Sequence, residues 1–229
     1  AAGIDFKEIA LLSNGETNNA IILTKGSDIQ SVKDLEDKKV AVAKGSSAFG
    51  LLYAAFEKEG VDPSKVEVIQ LQPDEAQPAF ENGSVDAWAT WEPFISYQTV
   101  GNNATALLKG KDVDTYGSMF TIARTAFTEQ NPELVAIYLE VYQKATNWMT
   151  DNPQEAVQFF ADLKDIDSII VEEVLKNTPY EIQVINDTVI TSQQNAADLF
   201  VEQGVFSNEI DVTEVVDNQF VENLLKGVE

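Results

Sequence analysis

Between residues 20 and 94 the chain alternates short apolar runs with segments of helical period, and this constrains its fold more than any other feature. AIILTK (20–25) reads as a buried strand. SVKDLEDKK (31–39) reads as a brief helix, with Ser31 as N-cap and Asp34 at the N3 position of a near-capping box. KVAVAKG (39–45) is the next strand. The helix after it sets Phe49, Leu52, Tyr53 and Phe56 on one apolar stripe and stops at Gly60. VEVIQL (66–71) is a strand, a helix runs from Pro73 to Asn82-Gly83, and DAWATW (86–91) is a strand leading into Glu92-Pro93. This order with short connections predicts an α/β fold with a parallel sheet flanked by helices. ATALLKG (104–110) and GSMFTIAR (117–124) read as two further strands. From Asn131 the pattern is helical, beginning with a helix of about six turns. The opening segment AAGIDFKEIALLS contains a strand with no earlier partner, so either its neighbours lie in the helical half or the natural protein is longer at its N-terminus.

Composition removes several classes of function. The 229 residues include neither Cys nor His, which excludes disulfides, thiolate chemistry, Cys/His zinc sites and imidazole-dependent triads. With 38 acidic against 15 basic residues the formal charge is −23, which argues against nucleic acid and against docking on an anionic membrane. No apolar run reaches the roughly 18 residues that a membrane span requires. AAGIDFKEIA has neither a basic region nor an apolar core, so the segment is not expected to be a signal peptide.

Two stretches are candidate sites. In Gly45-Ser46-Ser47-Ala48 a strand turns into a helix, so free backbone N–H groups and two hydroxyls face whatever lies above, an arrangement suited to an anion. Capping alone is the simpler reading of those serines. Walker and dinucleotide loops are excluded because their glycine and lysine spacing is missing. The second stretch is Trp88-Ala89-Thr90-Trp91-Glu92-Pro93-Phe94 at the C-terminal end of a strand, where open α/β sheets hold ligands. Alternation puts Trp88 and Trp91 on opposite faces, so a regular strand presents only one of them to a strand-end cleft. Glu92 can equally complement the helix it precedes. Asp112-Val113-Asp114 begins like a calcium loop but lacks the later ligands, and Ala123 stands where the closing Glu is needed, so no metal site is expected. Asp86 and Glu92 have no companion feature that would support a glycosidase.

Residues 39–94, from KKVAVAKGSSAFGLL through VIQLQPDEAQPAFENGSVDAWATWEPF, resemble the substrate-binding proteins of sulfonate/nitrate/taurine-type ABC importers. YGSMFTIARTAFTEQNPELVAIYLEVYQKATNWMTDNPQEA and ITSQQNAADLFVEQG resemble the second half of that family in order and spacing, so the resemblance covers essentially the whole chain. It implies a two-lobe, periplasmic-binding-protein-like α/β fold that closes on a hinge around its ligand. One lobe would be residues 27–115. The other would be 1–26 plus 116–229, with crossings near Thr24–Ser27 and Thr115–Met119 and with its first βα units missing. By the same resemblance Ser46 and Ser47 meet the ligand's anionic head, Trp91 and Glu92 fall on the W-[D/E]-P motif beside the cleft, and Tyr116 and Ser118 lie near the returning hinge. Trp88 joins Trp91 as a candidate for aromatic contact. Phe49-Gly50 stands where sulfonate and taurine binders often have His followed by Asn or Tyr.

The function implied is capture of a small organic anion of sulfonate or taurine type outside the cytoplasm, as a monomer, and delivery to an ABC permease in the membrane. No cofactor, nucleic acid or catalysis is implied. A helix N-terminus contributes only about 0.3–2 kcal/mol towards the roughly 8 kcal/mol of micromolar binding, so enclosure and aromatic contact must supply the rest. One alternative is an uncharged heteroaromatic ligand stacked on Trp88, Trp91 and Phe49; another is a sensor domain of a longer regulatory protein. The pyrimidine-precursor synthases of thiamine biosynthesis share the fold but depend on His and Cys, which this chain lacks.

Overall fold

The computed structural model describes residues 3–227. Its strands are β1 (Phe6–Ser13), β2 (Asn19–Leu23), β3 (Lys39–Val42), β4 (Glu67–Gln70), β5 (Ala87–Trp91), β6 (Thr105–Lys109) and β7 (Met119–Arg124). Its helices are α1 (Ser47–Glu59), α2 (Pro73–Glu81), α3 (Phe94–Ser96), α4 (Thr125–Gln130), α5 (Pro132–Asp151), α6 (Pro153–Lys164), α7 (Ser168–Asn177), α8 (Asp187–Glu202) and α9 (Gln219–Lys226). The segment at 31–39 is shorter than expected, a 3-10 turn over Val32–Leu35, and the Asp34 carboxylate does accept from the Ser31 N–H at 2.8 Å.

Five strands form one sheet in the order β4-β3-β5-β2-β6, and β1 pairs with β7 in a second, two-stranded sheet. Two expectations change here. The larger sheet is mixed rather than parallel: β3 runs parallel to β4 and β5, whereas β2 is antiparallel to both β5 and β6. Residues 19–23 also do not go with the opening segment. They form a central strand, buried at every position. A run such as AIIL announces burial on both faces but not which strands will flank it.

The pleat divides the core into two layers. On one face Ile21, Val40, Val42 and Ala89 meet Leu52 and Phe56 of α1. On the other, Ala20, Ile22, Ala41 and Trp88 meet Phe80 and Ile95. The α1 stripe works as its spacing predicts: Phe49, Leu52 and Phe56 are buried, each side chain contributing roughly 1.5–3 kcal/mol. Gly60 ends the helix in the left-handed conformation, φ 68°. In the helical half, Val135 and Leu139 of α5 pack with Ile9, Leu12 and Val221, which ties α5 and α9 to β1.

The two segments that link the sheets run side by side. The Gly117 N–H donates to the Gly15 carbonyl at 3.1 Å, and a Cβ on Gly15 would lie 2.2 Å from the Gly117 carbonyl carbon. With φ of +74° as well, position 15 accepts only glycine.

Candidate functional site

A cleft of about 950 Å³ opens where the ends of β2 and β5, the start of α1 and the segment Gly117–Met119 face α5, α6 and α7. On the sheet side its lining combines polar groups (Asn18, Asn19, Ser47, Glu92, Ser118) with Trp91, Pro93 and Met119, while Met149, Phe160, Ile170, Val174 and Leu175 make most of the helical wall apolar.

The serine turn divides its labour. Ser46 is the N-cap: its Oγ accepts from the Phe49 N–H at 3.1 Å and donates to the Ala43 carbonyl at 2.7 Å, and it does not line the cleft. Ser47 does line it. As the first two residues of α1, Ser47 and Ala48 have N–H groups with no carbonyl a turn earlier to receive them. The Ser47 hydroxyl donates to Asn19 Oδ1 at 3.3 Å, which fixes that amide, and Asn19 Nδ2 is left buried with no acceptor. Asn19 is 1% exposed, so the missing partner is costly unless something in the cleft supplies it. Ser47 and Asn19 thus bring donor groups to the same end of the cleft, whereas Ala48 is buried outside its lining.

Trp91 lines the cleft, and its ring stands edge-on to Phe94 at 6.0 Å. Trp88 does not line it: it is 1% exposed and packed between Phe80 and Phe94 on the other face of the strand, as alternation requires. Phe49 is likewise in the core, so of the three aromatics considered for stacking only Trp91 reaches the site. Tyr116 also falls outside the lining. Its N–H donates to Ser192 Oγ at 3.0 Å, which anchors the returning segment to α8. Ser118 does reach the cleft, and its hydroxyl donates to the Asn14 carbonyl at 2.8 Å, joining the two linking segments.

Glu92 lines the cleft but is already occupied. Its carboxylate accepts from the Ser96 N–H (3.1 Å), the Ser96 hydroxyl (3.0 Å) and Asn177 Nδ2 (2.8 Å). Burial pushes its pKa above the ordinary carboxylate value, opposed by those hydrogen bonds and by Lys109. Asn18, Asn19 and Asn177 were not singled out in the sequence. For the first two the signal was an Asn pair directly before a buried strand, TNNAIIL, which sets polar amides at a strand end. Nothing local marks Asn177, whose partners lie 68 and 85 residues away. Among the described residues no group of acidic side chains is gathered so as to hold a metal ion, and no helix is long and apolar enough to cross a membrane.

The model of the family described as "NMT1/THI5 like" matches residues 1–156. A Bacillus subtilis protein provisionally named an aliphatic sulfonates-binding protein is 46% identical over 226 residues, 99% of this chain and 68% of its own length. The crystal structure of the periplasmic aliphatic sulphonate binding protein SsuA from Escherichia coli superposes with a TM-score of 0.87 at 27% identity, covering 95% of this chain and 70% of that one. The chain thus spans about two thirds of the relatives it matches. The desulfurization enzyme DSZB shares the fold alone, with a TM-score of 0.75 at 12% identity over 100% of this chain and 81% of its own.

Proposed function

The chain belongs to the NMT1/THI5-like family, and from that premise we propose that it is the ligand-capturing part of an ABC importer, holding a small sulfonate-type anion outside the cytoplasm and passing it to a membrane permease. It acts as a monomer and binds without turning its ligand over. The observation that carries this reading is the helix start at Ser47 set against the unpartnered Asn19 Nδ2, both residues lining the cleft with Trp91. A sulfonate has three oxygens to accept those donors, and a helix N-terminus favours its charge. The net charge of −23 is no obstacle, because surface charge is screened beyond roughly 8–10 Å whereas these donors act at contact.

Trp91 covers the ligand body, Ser118 borders the seat, and Ser46 and Tyr116 serve it indirectly, through the helix cap and the anchor on α8. One lobe consists of the five-stranded sheet and its helices, the other of the β1–β7 sheet with most of the helical half. The crossings are then residues 14–18 and 113–118, and ligand favours the closed state by its higher affinity for it. Thermal shift with ethanesulfonate, taurine, nitrate and a pyrimidine precursor tests the proposal. Ligand at 100 times its Kd should stabilise the chain by about 2.7 kcal/mol. Stabilisation by the uncharged pyrimidine but by none of the anions would sink it.

A further inference from the structure

Asn177, the last residue of α7, is 6% exposed and its amide is used at both ends. Nδ2 donates to Glu92 Oε1 at 2.8 Å, just past the end of β5, while Oδ1 accepts from Lys109 Nζ at 2.9 Å at the end of β6. Its backbone carbonyl accepts from Thr17 Oγ1 at 2.6 Å, in the segment that leads into β2. One residue therefore joins the helix bearing Ile170, Val171 and Val174 of the cleft wall to three strand ends on the sheet side. An amide suits the position because it is neutral and two-faced: a carboxylate lies against its donor and an ammonium against its acceptor, so its orientation is fixed from both sides.

We propose that Asn177 is a positioning residue for ligand binding, a neutral bridge between Glu92 and Lys109 that holds the α7 wall against the sheet end and so sets how long the cleft stays shut. The inference rests on the anion-capture reading of the same cleft. Glu92 then serves to anchor the wall and does not receive an amine on the ligand. Glu173, from the preceding turn of α7, approaches Asn177 Nδ2 at 3.4 Å and is the other carboxylate at the bridge.

Polarity provides the test. Asn177→Asp keeps the shape but sets a carboxylate against Glu92. Combining it with Glu92→Gln reverses the pair: the new amide donates to the new carboxylate, its oxygen still accepts from the Ser96 N–H, and Lys109 keeps an acceptor. Stopped-flow Trp fluorescence with 1-hexanesulfonate reads the dissociation rate for the 229-residue chain. N177D should speed dissociation at least tenfold with little change in association, and E92Q/N177D should return to within about threefold of the parent. Parent-like dissociation in N177D, or a double variant no better than N177D, would overturn the inference. If N177D loses its cooperative melt, Asn177→Ser, too short to reach either partner, carries the test: it should speed dissociation similarly, and an unchanged rate overturns the bridge. Silence of the parent chain towards every sulfonate would instead overturn the proposed function, and this inference with it.

Discussion

A methyl group at Gly117 should damage the anion seat while leaving the fold standing. Gly117 has an ordinary backbone conformation, so Ala adds no strain there. Its Cβ, however, would lie 2.5 Å from both Asn18 Oδ1 and Asn19 Nδ2, and 2.8 Å from Asn19 Cγ. Neither amide moves freely. Asn18 donates to the Gly117 carbonyl at 2.9 Å, and Asn19 is held by Ser47. Something must shift by about an ångström, and the shift falls on the donor assigned to the anion. Overpacking of this kind costs roughly 1–3 kcal/mol of stability. Loss of one hydrogen bond to a charged ligand costs about 1.5–3 kcal/mol of affinity, a factor of roughly 10–150. Calorimetry with ethanesulfonate, alongside a thermal melt, separates the two effects. A Gly117→Ala chain that melts lower but binds as the parent does would show that Asn19 Nδ2 is not a ligand donor, and the assignment of the seat would fall.

Three further outcomes follow from the same contacts. Trp88→Ala should cost about 3–5 kcal/mol by denaturant titration because it empties the core beneath α3, whereas Trp91→Ala should weaken sulfonate binding and leave the fold nearly intact; the reverse would exchange their roles. Ser46→Ala should cost about 1 kcal/mol of stability through the lost cap, with ethanesulfonate affinity changed far less than by Gly117→Ala. Glu8 is buried and that burial raises its pKa, so the folded state favours its protonated form even though its Oε1 accepts from Gln193 Nε2 at 2.7 Å. That stability is fully present below the unfolded value of about 4.3 and is lost as pH rises through the higher folded value; Glu8→Gln should flatten this part of the profile and leave the share due to Glu92, while an unchanged slope would refute the assignment.

The sequence was most informative where a property is local. The α1 stripe, its Ser46 cap and its Gly60 stop could be read because helix period and capping act within a few residues. Alternation likewise allowed one tryptophan of Trp88 and Trp91 at the cleft, though not which, since choosing requires knowing what covers each face of the sheet. Strand order was hidden for a related reason: β2 pairs with β5 and β6, more than sixty residues on, and nothing in AIIL specifies those partners. Asn19 showed only as half of an Asn pair before a buried strand, and Asn177 had no local signature. Each matters through what it meets, the Ser47 hydroxyl in one case and Glu92 and Lys109 in the other.

The contact between Gly15 and Gly117 has a mechanical consequence. Two segments held backbone to backbone cannot twist independently, so in the proposed two-lobe reading the two crossings act as a single pivot. Asn18, Asn19 and Ser118 lie beside that pivot, where a rotation would produce little travel, whereas Ile170 and Val174 line the opposite, helical wall, which it would carry further. On that reading the anion is seated while the cleft is still open. Closure then adds the apolar wall and fixes how long the ligand stays, which separates what is recognised from how firmly it is kept.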